Sequence, residues 1–229
     1  MAVIAGQGPP CNVAGPRKEW VVKLLLLGAT GPTGRCVLSR ALDADDEVTV
    51  LARHPQALED VAHRIAVVPG DATVVDDVQR VMEGQDAVIA TLGRGRSVRP
   101  DGLFSAAAQA VVTAAQRAGV KRLVWMSSFG VADTLRDASF LERIAYATVL
   151  RAIYADKAEG EKALRASDLD WTIVYPTTLT NGPARGTYRA QARIQMHGSP
   201  RISRADVADF LWQAARDAQW AGRSAVLTD

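Results

Sequence analysis

Short apolar runs alternate with amphipathic stretches from Trp20 to the end of the chain. Most of the runs are continuously apolar, which is typical of strands that are covered on both faces. Strands that alternate with helices predict an α/β fold with a doubly wound parallel sheet in three layers, whose ligand crevice lies at the carboxyl ends of the strands. The predicted strands are 21–27, 47–52, 64–68, 86–90, 122–126, 171–174 and 224–227. The predicted helices are 33–42, 56–62, 73–82, 103–118 and 140–166, with a last helix that ends at about 218.

Proline and glycine divide the chain into a tail and one domain. Residues 1–19 contain Gly-Pro-Pro and Gly-Pro and lack periodicity, so we expect a flexible or extended tail. Residues 20–229 form the single predicted domain, with an irregular segment at about 175–200 that is long enough to be a small C-terminal substrate region. Ser203 with Asp206 three residues later predicts a helix cap.

Composition and charge exclude several classes of function. Lysine and arginine number 27 against 25 acidic residues, and the net charge of +2 gives no reason to expect a nucleic acid or a membrane as partner. Cys11 and Cys36 match no metal-binding spacing, so no metal site is expected. The sequence shows no secretory signal and no span of about 20 apolar residues. We therefore expect a cytoplasmic monomer or homodimer that acts on a small molecule.

A glycine-rich loop joins the first strand to the first helix. Gly28, Gly31 and Gly34 have the spacing G-x-x-G-x-x-G. The first glycine permits the turn off the strand, the second lets the backbone approach a pyrophosphate, and the third lets the helix pack on the sheet. The helix N-terminus then offers free N–H groups to phosphate. This context predicts a Rossmann-type dinucleotide site that also includes Thr30, Pro32 and Thr33.

The ends of the following strands predict the rest of the cofactor site. A site selective for NAD places an acidic residue at the end of the second strand, but this chain has Arg53 there. A guanidinium suits a 2′-phosphate, which favours NADP (as NADPH) over NAD. Asp71 with Ala72 is expected near the adenine, although Asp71 is also a plausible helix cap. The fourth strand ends in three further expected contacts, Thr91, Leu92 and Gly93.

These motifs resemble those of an atypical short-chain dehydrogenase/reductase. The chain is similar to the NAD(P)H-binding, NmrA-like group that includes biliverdin reductase B, a flavin reductase, over about residues 21–229. Besides the motifs above, the resemblance rests on the segments VWMSS at 124–128, DWTIVYP at 170–176 and ISRADVADF at 202–210. It implies an oxidoreductase that binds NAD(P).

The resemblance also implies catalytic residues, and the chain departs from them. The superfamily has a Tyr four residues before its Lys, but Ile153 stands four residues before Lys157. Tyr154 is three residues before Lys157, about 60° to one side on a helix and about 100° from the direction of the superfamily's Tyr. We therefore expect this catalytic candidate to point the wrong way for a proton donor. Lys157 is expected to reach the nicotinamide ribose. The remaining expectations are Ser127 and Ser128 at the fifth strand, Tyr175 as a possible acid, Pro176 beside the cofactor, and Thr178 where biliverdin reductase B-like proteins have a His.

Three functions are compatible with these residues. The first is an NADPH-dependent reductase that transfers hydride to a small conjugated acceptor of the flavin, quinone or enone type, with the proton supplied by water or a loop group. The second is a non-catalytic NAD(P)-binding sensor or assembly protein of the NmrA-like type, which the changed Tyr–Lys spacing favours. A sugar-nucleotide epimerase is the third, and the short chain argues against it.

Overall fold

Eight strands form the main sheet of this computed structural model, which describes residues 21–93, 102–131, 134, 151–196 and 198–229. The strands are β1 Lys23–Leu27, β2 Glu47–Ala52, β3 Ala66–Pro69, β4 Ala87–Ala90, β5 Arg122–Met126, β6 Asp170–Pro176, β8 Arg189–Gln191 and β10 Arg223–Thr228. The first six strands are parallel, and β1 lies between β2 and β4, where the strand order reverses. The complete order is β3-β2-β1-β4-β5-β6-β10-β8, with β8 antiparallel at the edge.

Helices cover both faces of the sheet, as the continuously apolar strands predict. The side chains of β1 alternate between two cores: Leu25 and Leu27 pack on one face, and Leu24 and Leu26 pack on the other. The helices are α1 Pro32–Leu42, α2 Val75–Met82, α3 Leu103–Ala118, α4 Arg151–Arg165 and α5 Arg204–Arg216. The first core contains α2, α3 and α4, and the second contains α1 and α5. The Rossmann-type, doubly wound fold is therefore confirmed.

One predicted helix is wrong. Residues 56–62 form no α-helix, because the segment contains only the 3-10 turns Pro55–Leu58 and Ala62–Arg64. Leu58 is the only residue of these turns that is buried, and so little apolar surface does not hold a helix on the sheet. The expected tail at 1–19 and the first part of the helix expected at 140–166 lie outside the described residues.

The C-terminal region adds a small second sheet. Strands β7, Thr178–Thr180, and β9, Arg201–Ser203, pair in parallel beside the end of β6. The predicted helix cap is confirmed, because Ser203 Oγ accepts a hydrogen bond from the Asp206 N–H at 2.9 Å. Asp206 is 1% exposed, and its Oδ1 accepts the N–H groups of Arg185 and Gly186, each at 2.8 Å. The cap thus also fixes the loop between β7 and β8. Within the described chain, no helix has the length and apolar character needed to cross a membrane.

Candidate active site

The parallel strands bring the predicted site residues to one edge of the sheet. Because neighbouring parallel strands end at the same edge, the segments after β1 to β6 lie side by side. This edge carries the glycine loop, the residues after β2 and β3, Thr91 to Gly93, the serine pair and Pro176. The strand order reverses between β1 and β4, and folds of this kind bind ligands at that point.

The three glycines of the loop are required for three different physical reasons. Gly28 has a φ of +87°, and a Cβ there would lie 2.7 Å from the carbonyl oxygen of Thr91. A Cβ on Gly34 would lie 2.1 Å from the carbonyl oxygen of Gly28. A Cβ on Gly31 would approach only the Gly28 oxygen, at 3.4 Å, so the chain itself leaves space there. The residues therefore fit a dinucleotide, whose pyrophosphate requires open space at the middle glycine.

The end of β4 is joined to the loop by Thr91. Its N–H donates to the Leu27 carbonyl at 2.8 Å, and its hydroxyl lies 3.2 Å from that oxygen and 3.3 Å from the Gly28 oxygen. Thr91 is 5% exposed, so these hydrogen bonds attach the start of the loop to the buried end of β4. Gly93 is exposed, and a Cβ there would meet nothing within 4 Å.

Two basic residues lie near the ends of β1 and β2, and among the described residues only Arg35 of these two forms an ion pair with a carboxylate. Arg35 of α1 donates three hydrogen bonds of 2.9–3.0 Å to Asp60. Arg53 is exposed at the end of β2, close enough to Asp71 for its charge to lower the pKa of that carboxyl. Hydrogen bonds from the Thr73 backbone are the larger cause of that lowered pKa. Asp71 Oδ1 also accepts the Thr73 hydroxyl at 2.8 Å and so closes a turn before α2, whereas the helix-cap alternative is wrong because the N-cap residue of α2 is Val74.

The two serines after β5 face opposite sides. Ser127 is 2% exposed, and its hydroxyl donates to Glu161 Oε1 at 2.6 Å. Ser128 is half-buried and lines a cleft, and its Oγ accepts a hydrogen bond from Lys157 Nζ at 2.8 Å. Successive side chains of an extended segment point in opposite directions, which separates the pair. Ser127 is thus directed into the protein, and Ser128 is directed into the cleft.

Lys157 is a buried cation next to the cleft. It is 7% exposed, and its Nζ lies 4.5 Å from the centre of the Phe104 ring. Burial lowers the pKa of Lys157 to about 8, against the opposing effect of the Glu161 and Asp156 charges. The ammonium therefore exchanges its proton near neutral pH while it is bonded to Ser128.

The structure does not support Tyr175 as an acid in the cleft. The Tyr175 side chain is 2% exposed and packs in the core on the face of the sheet that α4 covers. Its hydroxyl donates to Glu161 Oε2 and accepts a hydrogen bond from Arg165 at 2.8 Å. Burial and the Glu161 carboxylate raise its pKa well above the usual range. Pro176, the next residue, does line the cleft. The alternation of side chains along β6 explains why only one of the two reaches it.

The expected direction of Tyr154 is also wrong. Its side chain forms part of the wall of the cleft that Ser128 lines, and its hydroxyl lies 3.5 Å from the Phe129 carbonyl oxygen. Residues three apart on a helix are neighbours on its surface, so an offset of about 60° still leaves Tyr154 and Lys157 facing the same site. The cleft has a volume of about 410 Å³, and its remaining walls include Thr177, Thr178, Leu179 and Arg204.

Sequence reasoning missed three charged residues that shape this site. Glu161 is 1% exposed and accepts hydrogen bonds from the hydroxyls of Ser127 and Tyr175. Burial is the main cause of its raised pKa. Asp156 accepts the N–H groups of Phe104 and Ser105, each at 3.0 Å, and so caps α3 from a neighbouring helix. The position of Glu161 four residues after Lys157, on the same face of the helix, was a usable signal. Arg204 lies in the ISRADVADF segment, between the cap residues Ser203 and Asp206. In the parts of the chain that the structure covers, no group of three or more His, Cys, Asp or Glu forms a metal site.

Comparison with known proteins identifies the family. A family model described as NAD(P)H-binding matches residues 28–218. The chain belongs to this NAD(P)H-binding family. The match begins at the glycine loop and extends past β9, so it includes all the strand ends that form the site. It confirms the resemblance to atypical short-chain dehydrogenases/reductases of the NmrA-like group, a Rossmann-type oxidoreductase family.

The similar proteins include reductases and an epimerase-named protein. The structure of the anaerobilin reductase ChuY of Escherichia coli O157:H7 matches with a TM-score of 0.76 and 26% identity, covering 90% of this chain and 96% of that one. A (4-alkanoyl-5-oxo-2,5-dihydrofuran-3-yl)methyl phosphate reductase of Streptomyces griseus is 31% identical over 68% of this chain and 48% of its own. An uncharacterised sugar epimerase of Bacillus subtilis, YhfK, is 29% identical over 82% of this chain and 85% of its own.

Proposed function

We propose that the protein is an NADPH-dependent reductase that transfers hydride to a small conjugated acceptor. The observation that carries this proposal is the bonded pair of Ser128 and Lys157 at a cleft beside an intact dinucleotide loop. Two of the similar proteins named above are reductases, and the Streptomyces protein is named for a substrate with an unsaturated lactone ring. The cleft volume of about 410 Å³ suits a small molecule.

The chain's own residues supply the proton side of the reaction. When bound, NADPH supplies the hydride, and the residues proposed to hold it are the loop Gly28 to Gly34, Arg53, Asp71 with Ala72, Thr91 to Gly93, Lys157 and Pro176. Ser128 accepts a hydrogen bond from Lys157, so its own O–H is available to an acceptor oxygen in the cleft. As that oxygen gains charge, Ser128 gives it a proton and takes one from Lys157. Solvent then restores the lysine proton.

The preference for NADPH depends on Arg53. Replacement by Ala should weaken NADPH binding by about tenfold, the lower end for a charge-assisted hydrogen bond, because the side chain is exposed. NADH lacks the 2′-phosphate, so its affinity should change little. The measurement is calorimetric titration with both cofactors, with Arg35→Ala as the matched control because Arg35 is bound to Asp60. An equal loss for both cofactors in Arg53→Ala would refute the role of Arg53.

Turnover should fall as the pH rises through about 8. The pKa of Lys157 is lowered to about 8, so the ammonium that returns a proton to Ser128 is present below this pH and is lost above it. Glu161 and Asp156 are the carboxylates whose charges act on Lys157. A pH profile of NADPH oxidation at saturating cofactor checks this. The Lys157→Met variant should turn over slowly at every pH, and its turnover should not fall near pH 8. A fall in turnover that persists in this variant would show that another group titrates there.

The competing functions predict different results with the same purified protein. A sensor binds NADPH but does not oxidise it, whichever acceptor is added. An epimerase interconverts sugar nucleotides without net consumption of the cofactor. The protein is incubated with NADPH and flavins, quinones, enones or sugar nucleotides, and the nicotinamide absorbance is followed. We expect oxidation with at least one conjugated acceptor. Epimer formation at constant absorbance would replace the reductase by the epimerase.

A further inference from the structure

The cleft contains a basic side chain whose charge the reduction itself does not use. Arg204 is the first residue of α5, and its half-buried side chain lines the cleft opposite the end of β5. Ser128 and Tyr154 line the same cleft. A molecule bound next to Ser128 therefore lies within the same cavity as this guanidinium.

Arg204 also differs from neighbouring arginines in its partner. Its Nη1 donates to the neutral amide oxygen of Asn181 at 2.7 Å. Across the residues that the structure describes, no carboxylate lies within ion-pair distance of Arg204. By contrast, Arg40 of α1 and Arg216 at the other end of α5 are paired with Asp209 and Asp46. A guanidinium held by a neutral amide keeps its charge available for an anion.

We propose that Arg204 binds an anionic group of the acceptor, a carboxylate or a phosphate, and so makes the protein selective for charged conjugated acceptors. This inference rests on the proposed reductase function, since the ligand is its acceptor. The Asn181 amide orients the guanidinium, and its remaining N–H groups face an anion bidentately. The anion fixes the acceptor at the end remote from Ser128.

The cofactor is the other possible source of an anion. Arg204 is near enough to Cys36 of α1 for its charge to act on that thiol, and α1 begins at the glycine loop. A pyrophosphate held by the loop would present the same chemistry. The two sources are distinguished by measuring acceptor and cofactor affinities separately.

The experiment uses pairs of acceptors that share one conjugated ring system and differ in whether they carry an anionic group. Binding to the protein loaded with NADP⁺ is measured for FMN and riboflavin, for a naphthoquinone sulfonate and its parent naphthoquinone, and for a linear tetrapyrrole and its dimethyl ester. We expect at least one charged member to bind about tenfold to a hundredfold more tightly than its neutral partner. Arg204→Gln should remove this preference, and Arg204→Lys should retain part of it.

Two further variants control for loss of structure or of general charge. Asn181→Asp keeps Arg204 in place but gives it a carboxylate partner, so the preference for charged acceptors should disappear. Arg201→Gln removes the same charge from an exposed residue of β9 that does not line the cleft, and the preference should remain. Melting temperatures should stay close to wild type in both.

The inference is overturned if wild-type protein binds charged and neutral members equally, or binds none of them. It is also overturned if Arg204→Gln weakens NADPH about tenfold and leaves the acceptor preference intact, since Arg204 then serves the cofactor. Turnover is scored separately. A charge preference that Arg204→Gln abolishes, without NADPH oxidation by any acceptor, would refute the reductase and leave the anion site in place.

Discussion

Gly31→Val is expected to weaken NADPH binding by about a hundredfold while the melting temperature stays close to wild type. The backbone at Gly31 is extended, with φ −76° and ψ 159°, a conformation that Val adopts readily. Nothing within the chain lies closer than 3.4 Å to a Cβ there. The side chain therefore enters the space assigned to the pyrophosphate and disturbs little else. Calorimetric titration with NADPH and a thermal melt measure the two quantities.

Variants of two other glycines are controls that distinguish loss of cofactor space from loss of folding. Gly34→Ala should destabilise the protein strongly, because its Cβ would be 2.1 Å from the Gly28 oxygen. Gly182→Val, at an exposed position with nothing within 4 Å of a Cβ, should change neither binding nor stability. A folded Gly31→Val protein with native affinity for NADPH would show that the cofactor does not approach the loop.

Ser128→Ala is expected to lower kcat by about a hundredfold with little change in NADPH affinity. A positioned donor to a developing oxyanion contributes about 10²–10³ in kcat. Ser128 has that position, because it lines the cleft and receives the Lys157 ammonium at 2.8 Å. Steady-state NADPH oxidation at saturating acceptor, together with a cofactor titration, measures the effect.

Matched variants distinguish Ser128 from its neighbours. Ser127→Ala should lower stability, because it leaves the buried Glu161 without one hydrogen bond, but kcat should change less than in Ser128→Ala. Tyr154→Phe should keep kcat within about tenfold of wild type, below the 10²–10⁴ of a general acid. Its hydroxyl is directed to the Phe129 carbonyl at 3.5 Å. A hundredfold loss in Tyr154→Phe, with Ser128→Ala nearly active, would assign the proton to the tyrosine.

The parts of the site that the sequence predicts are the local ones. The glycine loop follows a strand and opens a helix within seven residues, and each strand end follows its own apolar run. Such features depend on spacing along the chain, so the sequence predicts that Gly28, Thr91 and Ser128 follow strand ends, and the structure has them there. The parallel arrangement of the strands then brings them together.

The parts that the sequence did not predict depend on contacts between distant segments. Tyr175 is held in the interior by a helix that packs against its strand: its hydroxyl donates to Glu161 and accepts a hydrogen bond from Arg165. Asp156 caps a helix that begins 53 residues before it in the chain. No local pattern gives these partners. The direction of Tyr154 was missed for a different reason: ideal helical angles ignore the length of the side chain and the width of the cleft.

Anaerobic single-turnover oxidation of C4-deuterated NADPH tests the central claim most directly. The protein is loaded with the 4R or the 4S deuteride and mixed with an acceptor from the panel, and the nicotinamide absorbance is followed. The account predicts acceptor-dependent oxidation that is slower for one of the two deuterides, and loss of the fast phase in Ser128→Ala. Tight NADPH binding without oxidation by any conjugated acceptor would contradict the account and favour a non-catalytic NAD(P)-binding protein.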